Sequence, residues 1–529
     1  MRREFLVSAA LITALILLVG RVYPPFLLLL FIFGPAFLLG IYDYFQPRHS
    51  VRRNYPFVGR FRYMLEAIRP ELHQYFVESD TDGVPFSRDK RSLVYQRAKG
   101  VRDTVPFGTL RNVYAEGYEW VNHSIRPLPL EAKDFRITVG GPDCTQPYSA
   151  SLLNISAMSY GSLSKNAILA LSMGAKMGNF AHNTGEGGLS PYHLQGGADL
   201  IWQIGTGYFG CRTADGRFNP DTFAENARHP NVKMIELKLS QGAKPGHGGI
   251  LPGAKVTNEI SEIRHVPMGQ DVISPPAHST FSTPVGLLEF IAELRRLCGG
   301  KPVGFKLCIG KRREFLAICK AMVETGITPD FITVDGGEGG TGAAPLEFSN
   351  HVGAPLLDGL IFAHNALVGF SLRDKIRLIA SGKVTSGFDM VKRLALGADM
   401  CNAARAIMLA LGCIQALKCN TNRCPVGVAT QDPHLVAGLV PEYKSQRVAN
   451  YHRETMESVS EIIGAAGIAS HSDLRPWHII RRTTPTETKH YGEIYHYLQD
   501  GDLLREPLPP DYKRACEAAA ADTFSHVGV

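Results

Sequence analysis

A chain of 529 residues, 45% hydrophobic and 20% charged, has the composition of a folded globular protein, which excludes wholesale disorder. Its length allows one large domain with additions, or two or three ordinary ones. The formal charge of +7 is uneven: residues 1–63 hold eight arginines against Glu4 and Asp43, so the remainder is near neutral, which argues against a nucleic-acid-binding domain.

The first element carries that charge. Residues 5–20 and 26–42 are two uncharged apolar runs, separated by Arg21 and the Pro24-Pro25 pair. Each is slightly shorter than the ~20 residues that cross a bilayer, and the flanking Val, Tyr and Pro residues extend them. Basic residues precede the first run and crowd after the second, so both ends are expected on the cytoplasmic side of the inner, cytoplasmic membrane. The reading is a membrane-anchoring helical hairpin over 1–45, in contact with lipid. A signal peptide is the alternative. Against it, no small-residue cleavage site follows Gly20 and a second apolar run comes too soon. Pro35 also allows a re-entrant hairpin in one leaflet. The ten cysteines show no regular pairing pattern, unlike a secreted disulfide framework.

Residues 46–140 are mixed and read as a linker and N-terminal cap. From about Leu152 short apolar or β-branched runs alternate with longer amphipathic segments. Strands are expected over 152–158, 179–182, 233–239, 272–274, 303–309, 331–334, 376–380 and 399–402. Eight alternating units indicate an α/β fold with a parallel sheet, and favour a TIM (β/α)8 barrel over a doubly wound sheet. The barrel is assigned to 141–470, and 471–529 to a C-terminal extension.

In such a barrel functional residues belong at the C-terminal strand ends. The distinctive motifs follow the expected strands: MSYGS at 158–162, NTGEGG at 183–188, KLSQGAKPGHGGILPG at 238–253, GGEGGTG at 336–342, Ser381-Gly382-Lys383 and Ala403-Ala404-Arg405. Glycine after the last strands lets backbone N–H groups approach a phosphate; an ordinary turn is the plain alternative for Gly382. GGEGGTG lacks the strand–turn–helix context of a dinucleotide fingerprint. Lys306 lies in an apolar run, and a buried ammonium needs a partner, either a carboxylate or the electron-rich edge of a reduced flavin. Lys244 and Arg264 suit the two carboxylates of a dicarboxylate, although each alone reads as a solvated surface residue. Glu186, between glycines, could orient or protonate a reacting nitrogen.

The segment 412–432, GCIQALKCNTNRCPVGVATQD, groups Cys413, Cys419 and Cys424, with Pro425 directly after the last. Grouped thiolates closed by Cys-Pro suit an iron–sulfur site, with zinc as the non-redox alternative. Cys308 and Cys401, in apolar runs, read as small core residues.

Together MSYGS, NTGEGG, KLSQGAKPG, the GGTG loop and CPVGVATQD resemble the synthase domain of glutamate synthases, in the same order and at similar separations, over about residues 100–470. The resemblance implies a TIM-like barrel with FMN and a 3Fe–4S cluster, converting 2-oxoglutarate and ammonia through 2-iminoglutarate into L-glutamate. By the same resemblance Glu186, Lys244 and Arg264 are active-site or 2-oxoglutarate residues. Met158, Ser159, Gln203, Lys238, Lys306, Gly382 and Lys383 surround FMN, and Cys413, Cys419 and Cys424 ligate the cluster. It further implies ferredoxin or a separate reductase as electron donor, and ammonia from solution or a separate glutaminase.

The chain departs from the family at several positions. His247 and Ile250 stand where the family has Glu and Gln, and the lost amide would have bonded the oxo acid. The last strand ends read Ser-Gly-Lys and Ala-Ala-Arg rather than Gly-Gly and Gly-Thr-Ala. The larger members' glutaminase and β-helical domains are not expected here, so the chain is not expected to release ammonia from glutamine. Two other functions remain in view: a related enzyme joining another amine or 2-oxo acid, as in N-methylglutamate formation, and a membrane redox relay without amination.

Overall fold

The computed structural model describes residues 2–101 and 104–525, and the chain forms two compact units, residues 1–89 and 90–529. In the first unit, helices Arg2–Val22 and Leu30–Phe45 are joined through a 3-10 turn at Pro24–Leu29. They run antiparallel: the Arg2 guanidinium donates to the Tyr44 carbonyl at 2.9 Å, and the Phe5 ring occupies the space beside Gly40. Both helical stretches are long and apolar enough to cross a membrane, and little of either is buried within the protein. The acidic residue at the end of the second helix, Asp43, is buried and held by the Arg60 fork at 2.7 and 2.8 Å.

The second unit is built on a closed barrel of eight parallel strands. In chain order these are β1 (Leu153–Ile155), β2 (His182–Asn183), β3 (Leu200–Ile204), β4 (Val232–Lys238), β5 (Val303–Leu307), β6 (Phe331–Asp335), β7 (Arg377–Ser381) and β8 (Met400–Ala403). β8 pairs with β1 to close the ring. Strands buried on both faces read as near-continuous apolar runs, as Leu-Ile-Trp-Gln-Ile in β3 does apart from Gln203.

Two of the expected strands need correction. Residues 272–274 are not part of the barrel: Val272–Ile273 pairs antiparallel with Ile250–Leu251 in a small side ribbon within the β4–β5 crossover. The third barrel strand is instead Leu200–Ile204. The second is also displaced: Asn179, expected within it, caps the helix Lys165–Gly178 in left-handed conformation (φ 52°), and the strand is His182–Asn183.

Polar caps start the crossover helices where the strand-end loops finish. Ser164, Asn219, Thr283 and Ser386 each accept a backbone N–H from the first turn that follows. The helix Lys165–Gly178 packs against the 25-residue helix Pro441–Ala465, with Gly174 set directly on Val448. At the N-terminal end of the barrel a ribbon of Arg136–Val139 and Tyr148–Ser151 leads into β1. Asp330 sits there, buried, accepting from Gly141 N (2.6 Å), Val303 N (2.7 Å) and the Arg295 guanidinium (3.0 and 3.2 Å).

Candidate active site at the C-terminal mouth of the barrel

Strand register sets the charges at the mouth. Lys238 and Lys306 are direct neighbours across β4 and β5, and both are buried. Two adjacent ammonium groups need separate counter-charges, and each has one: Lys238 Nζ lies 3.0 Å from Glu186 Oε1, and Lys306 Nζ lies 3.2 Å from Asp335 Oδ2. The carboxylate alternative for Lys306 is therefore present in the fold. Burial opposes its charge, but Asp335, Glu236 and Glu186 outweigh burial and hold the Lys306 ammonium above its ordinary range.

Glu186 occupies the loop after β2, and space for its carboxylate comes from two glycines. A Cβ on Gly205 would lie 2.5 Å from Oε2, and one on Gly249 would lie 2.3 Å from Oε1. Burial opposes its ionisation, yet Lys238, then Lys244 and Arg264, overcome it and keep the carboxyl below its usual range. Three cations thus converge on one carboxylate. Lys244 is buried and donates to the Ala343 carbonyl at 2.9 Å; burial, then the charge of Lys238, brings it down to about 8. Arg264, also buried, gives one nitrogen to the Tyr160 carbonyl at 2.8 Å, while its Nε has no partner among the described residues. Burial lowers its pKa to about 10, against the pull of Glu186.

A second polar group lies within the barrel. Glu236, 1% exposed, accepts from Asn183 Nδ2 (2.7 Å), Gln203 Nε2 (2.6 Å) and Thr333 Oγ1 (2.7 Å). The bond to Glu236 fixes the orientation of the Gln203 amide. The sequence reading missed Glu236, Asp335 and His278. The last is buried, with its ring nitrogens 2.9 Å from the Lys238 carbonyl and 3.0 Å from the Tyr208 hydroxyl, and burial lowers its pKa to about 4, so it is neutral at pH 7. Asp335 stands directly before the GGEGGTG loop, whereas Glu236 and His278 have no local motif and come in only through the packing of distant segments.

Met158 and Ser159 follow β1 beside the Glu186 loop, where a Cβ on Gly185 would meet Ser159 N at 2.9 Å. The Met158 carbonyl lies 3.0 Å from His193 Nε2. After β7, Gly382 (φ 145°) and Lys383 (φ 46°) both take positive φ, turning the chain sharply at the strand end. Asn402 Oδ1, on β8, is buried without a partner among the described residues. Arg405 donates to the Thr341 carbonyl of the GGTG loop and reaches within 3.8 Å of Cys419 Sγ.

The cysteine loop follows β8 and its helix. Gln415, Leu417 and Asn422 all adopt left-handed backbone, at φ 57°, 55° and 59°, which winds the segment tightly between the cysteines. Cys413 Sγ accepts from Gln415 N at 3.4 Å. Burial raises the Cys413 thiol, with Gln415 N and Arg405 acting the other way. Among the described residues no three His, Cys, Asp or Glu side chains converge closely enough for a single metal ion.

The conserved region in glutamate synthase matches residues 129–469. This chain belongs to the glutamate synthase family. A glutamate synthase large subunit-like protein of Bacillus subtilis, YerD, is 40% identical over 483 residues, covering 84% of this chain and 91% of the relative. The archaeal glutamate synthase [NADPH] of Methanocaldococcus jannaschii is 39% identical over 323 residues, 61% of this chain and 60% of that protein. The glutamate synthase [NADPH] large chain of B. subtilis is 31% identical over 397 residues, 73% of this chain and 24% of that protein. This glutamate synthase-type chain therefore spans most of one relative and about 60% of the archaeal one. The matched region holds every residue of the mouth and the cysteine loop.

Proposed function

We propose that the chain is a glutamate synthase-type oxidoreductase that reduces the imine of 2-oxoglutarate and ammonia to L-glutamate, with FMN at the barrel mouth and a 3Fe–4S cluster on Cys413, Cys419 and Cys424. The observation that carries this reading is the surplus of buried positive charge around Glu186. Lys238 satisfies that carboxylate, which leaves Lys244 and the unpartnered Nε of Arg264 for a dianionic substrate. When bound, FMN supplies the hydride and the cluster passes electrons to it singly.

The residues present fit both groups. Lys306 offers a fixed ammonium, Gln203 an amide held in place by Glu236, and Asn402 a polar atom not yet satisfied. The turn at Gly382 and Lys383, after β7, stands where barrels of this type receive phosphate. Three cysteines in one loop are the donor set a 3Fe–4S cluster needs, and Cys413, Cys419 and Cys424 would hold it, although among the described residues they do not form a single-ion site. Held as the anion, Glu186 accepts an N–H of the incoming ammonia, or takes its proton, rather than donating one.

Electrons come from ferredoxin or a separate reductase subunit, and ammonia from solution or a separate glutaminase. The hairpin of 1–45 anchors the chain in the cytoplasmic membrane with the catalytic barrel in the cytoplasm; two long apolar helices flanked by arginines support this. Residues 46–140 lead into the barrel of 141–470, which an extension over 471–529 follows.

A second substrate reading rests on His247, whose ring packs edge-on against Phe348 (5.4 Å) in the loop between Lys244 and Ile250. An imidazole and an isoleucine where the family has Glu and Gln suit a different oxo acid or a substituted amine such as methylamine. Anaerobic turnover with reduced viologen and a panel of 2-oxo acids and amines tests both readings. Glutamate formed fastest from 2-oxoglutarate and ammonia supports the first. A strong preference for another pair transfers the site to the second, and no turnover of any pair favours an electron relay. Zinc without iron in the purified protein would remove the cluster.

A further inference from the structure

Lys255 is among the largest fully buried side chains of the protein, 2% exposed, yet no carboxylate pairs with it among the described residues. Its ammonium donates to two backbone carbonyls, Ser162 O at 3.0 Å and Cys419 O at 2.8 Å. The first belongs to the loop after β1 that carries Met158 and Ser159; the second belongs to the cysteine loop. Neighbouring bonds reinforce the same junction. Asn422 Nδ2 donates to Ala254 O at 3.0 Å, and Gln431 Nε2 donates to Gly161 O and Leu163 O at 3.0 and 2.9 Å.

Two carbonyl dipoles do not neutralise a buried full charge, which ordinarily requires an anion. The Lys255 ammonium lies 2.8 Å from the Cys419 carbonyl, so among the described residues its place is beside the cysteine loop rather than beside a carboxylate. Three thiolates on an iron–sulfide core carry net negative charge, which would supply the missing counter-ion.

We propose that Lys255 is a positioning residue with two linked roles: it is the buried counter-charge of the cysteine-bound cluster, and it ties the cluster loop to the Ser159–Ser162 loop at the barrel mouth. This rests on the cluster reading given above. A positive charge fixed beside the thiolates stabilises the added electron, so removing it makes reduction of the cluster harder.

The test compares wild type, Lys255→Met and Lys255→Arg as full-length, anaerobically purified protein, by iron and flavin content and by a redox titration followed by electron paramagnetic resonance. In Lys255→Met the one-electron reduction equilibrium should become at least tenfold less favourable, about 59 mV lower in midpoint. Lys255→Arg should stay within threefold of wild type. Loss of iron from Lys255→Met alone, with flavin and circular dichroism retained, also supports a charge role. An unchanged midpoint in an iron-replete Lys255→Met overturns the proposal. Equal shifts in both variants, or iron loss from both, overturn it too, since shape rather than charge would then matter. A wild-type protein without iron refutes the cluster itself and is distinguished by that control.

Discussion

Two carboxyl groups at opposite ends of the barrel are held in contrasting ways. Asp330, before β6, accepts four hydrogen bonds, from two backbone N–H groups and from Nε and Nη2 of the Arg295 guanidinium, so its acceptor capacity is filled by the fold. Glu186, after β2, has one direct ion pair and lies in the field of two further cations that it cannot neutralise alone. The first arrangement is complete without a ligand. The second leaves positive charge over, which supports the proposal of a binding site for an acidic substrate. Barrels of this type separate stability at one end from chemistry at the other, and these two carboxylates show how residue choice accomplishes it.

That contrast can be broken by substitution. Glu186→Gln should lower kcat/KM by about a hundred- to ten-thousandfold, the range for a lost proton-handling group, with little change in melting temperature. Asp330→Asn should do the reverse: unfolding in urea should show a loss of about 3–5 kcal/mol, as for a broken buried ion pair, while the KM of the folded fraction stays put. If Glu186→Gln mainly destabilises, the contrast fails. Arg264→Lys keeps the charge but removes the planar fork, and should raise the KM for the oxo acid about tenfold, or ~1.4 kcal/mol, in steady-state assays.

Finer tests follow from Lys244 and Gly249. With Lys244 at about 8 in the free protein, kcat/KM for the oxo acid should fall above that pH as the ammonium is lost, and Lys244→Arg should remove that limb. Stability responds in the opposite direction. Between about 8 and the unfolded value of 10.5 the unfolded chain keeps a proton that the folded chain has released, so this group makes stability rise with pH. Gly249→Ala would bring a methyl to 2.3 Å from the Glu186 carboxylate and must displace it. A few-fold loss of kcat, with an unchanged far-ultraviolet spectrum, is the expected result.

Local features were legible in the sequence and long-range ones were not. The cysteine loop, the mouth motifs and most barrel strands are short contiguous patterns. β3 was missed because only the short helix Pro191–Gln195 separates it from β2, so the strand–helix alternation breaks there. Residues 272–274 have strand propensity, but propensity does not distinguish a barrel strand from a ribbon in a crossover. Lys306 raised the question of a partner, but only the placement of β5 beside β6 reveals Asp335. Glu236 reads as one of three charges in its strand, with Lys233 and Lys238, until Asn183, Gln203 and Thr333 close around it.

The most direct measurement is a single turnover. Protein reduced anaerobically with stoichiometric dithionite is mixed with 2-oxoglutarate and ammonium, while flavin absorbance and free glutamate are followed together. A yellow chromophore that returns as about one glutamate appears per flavin would sustain the view that the cationic mouth is a dicarboxylate site beside a redox centre. A protein that stays bleached, or reoxidises without forming an amino acid, would contradict it.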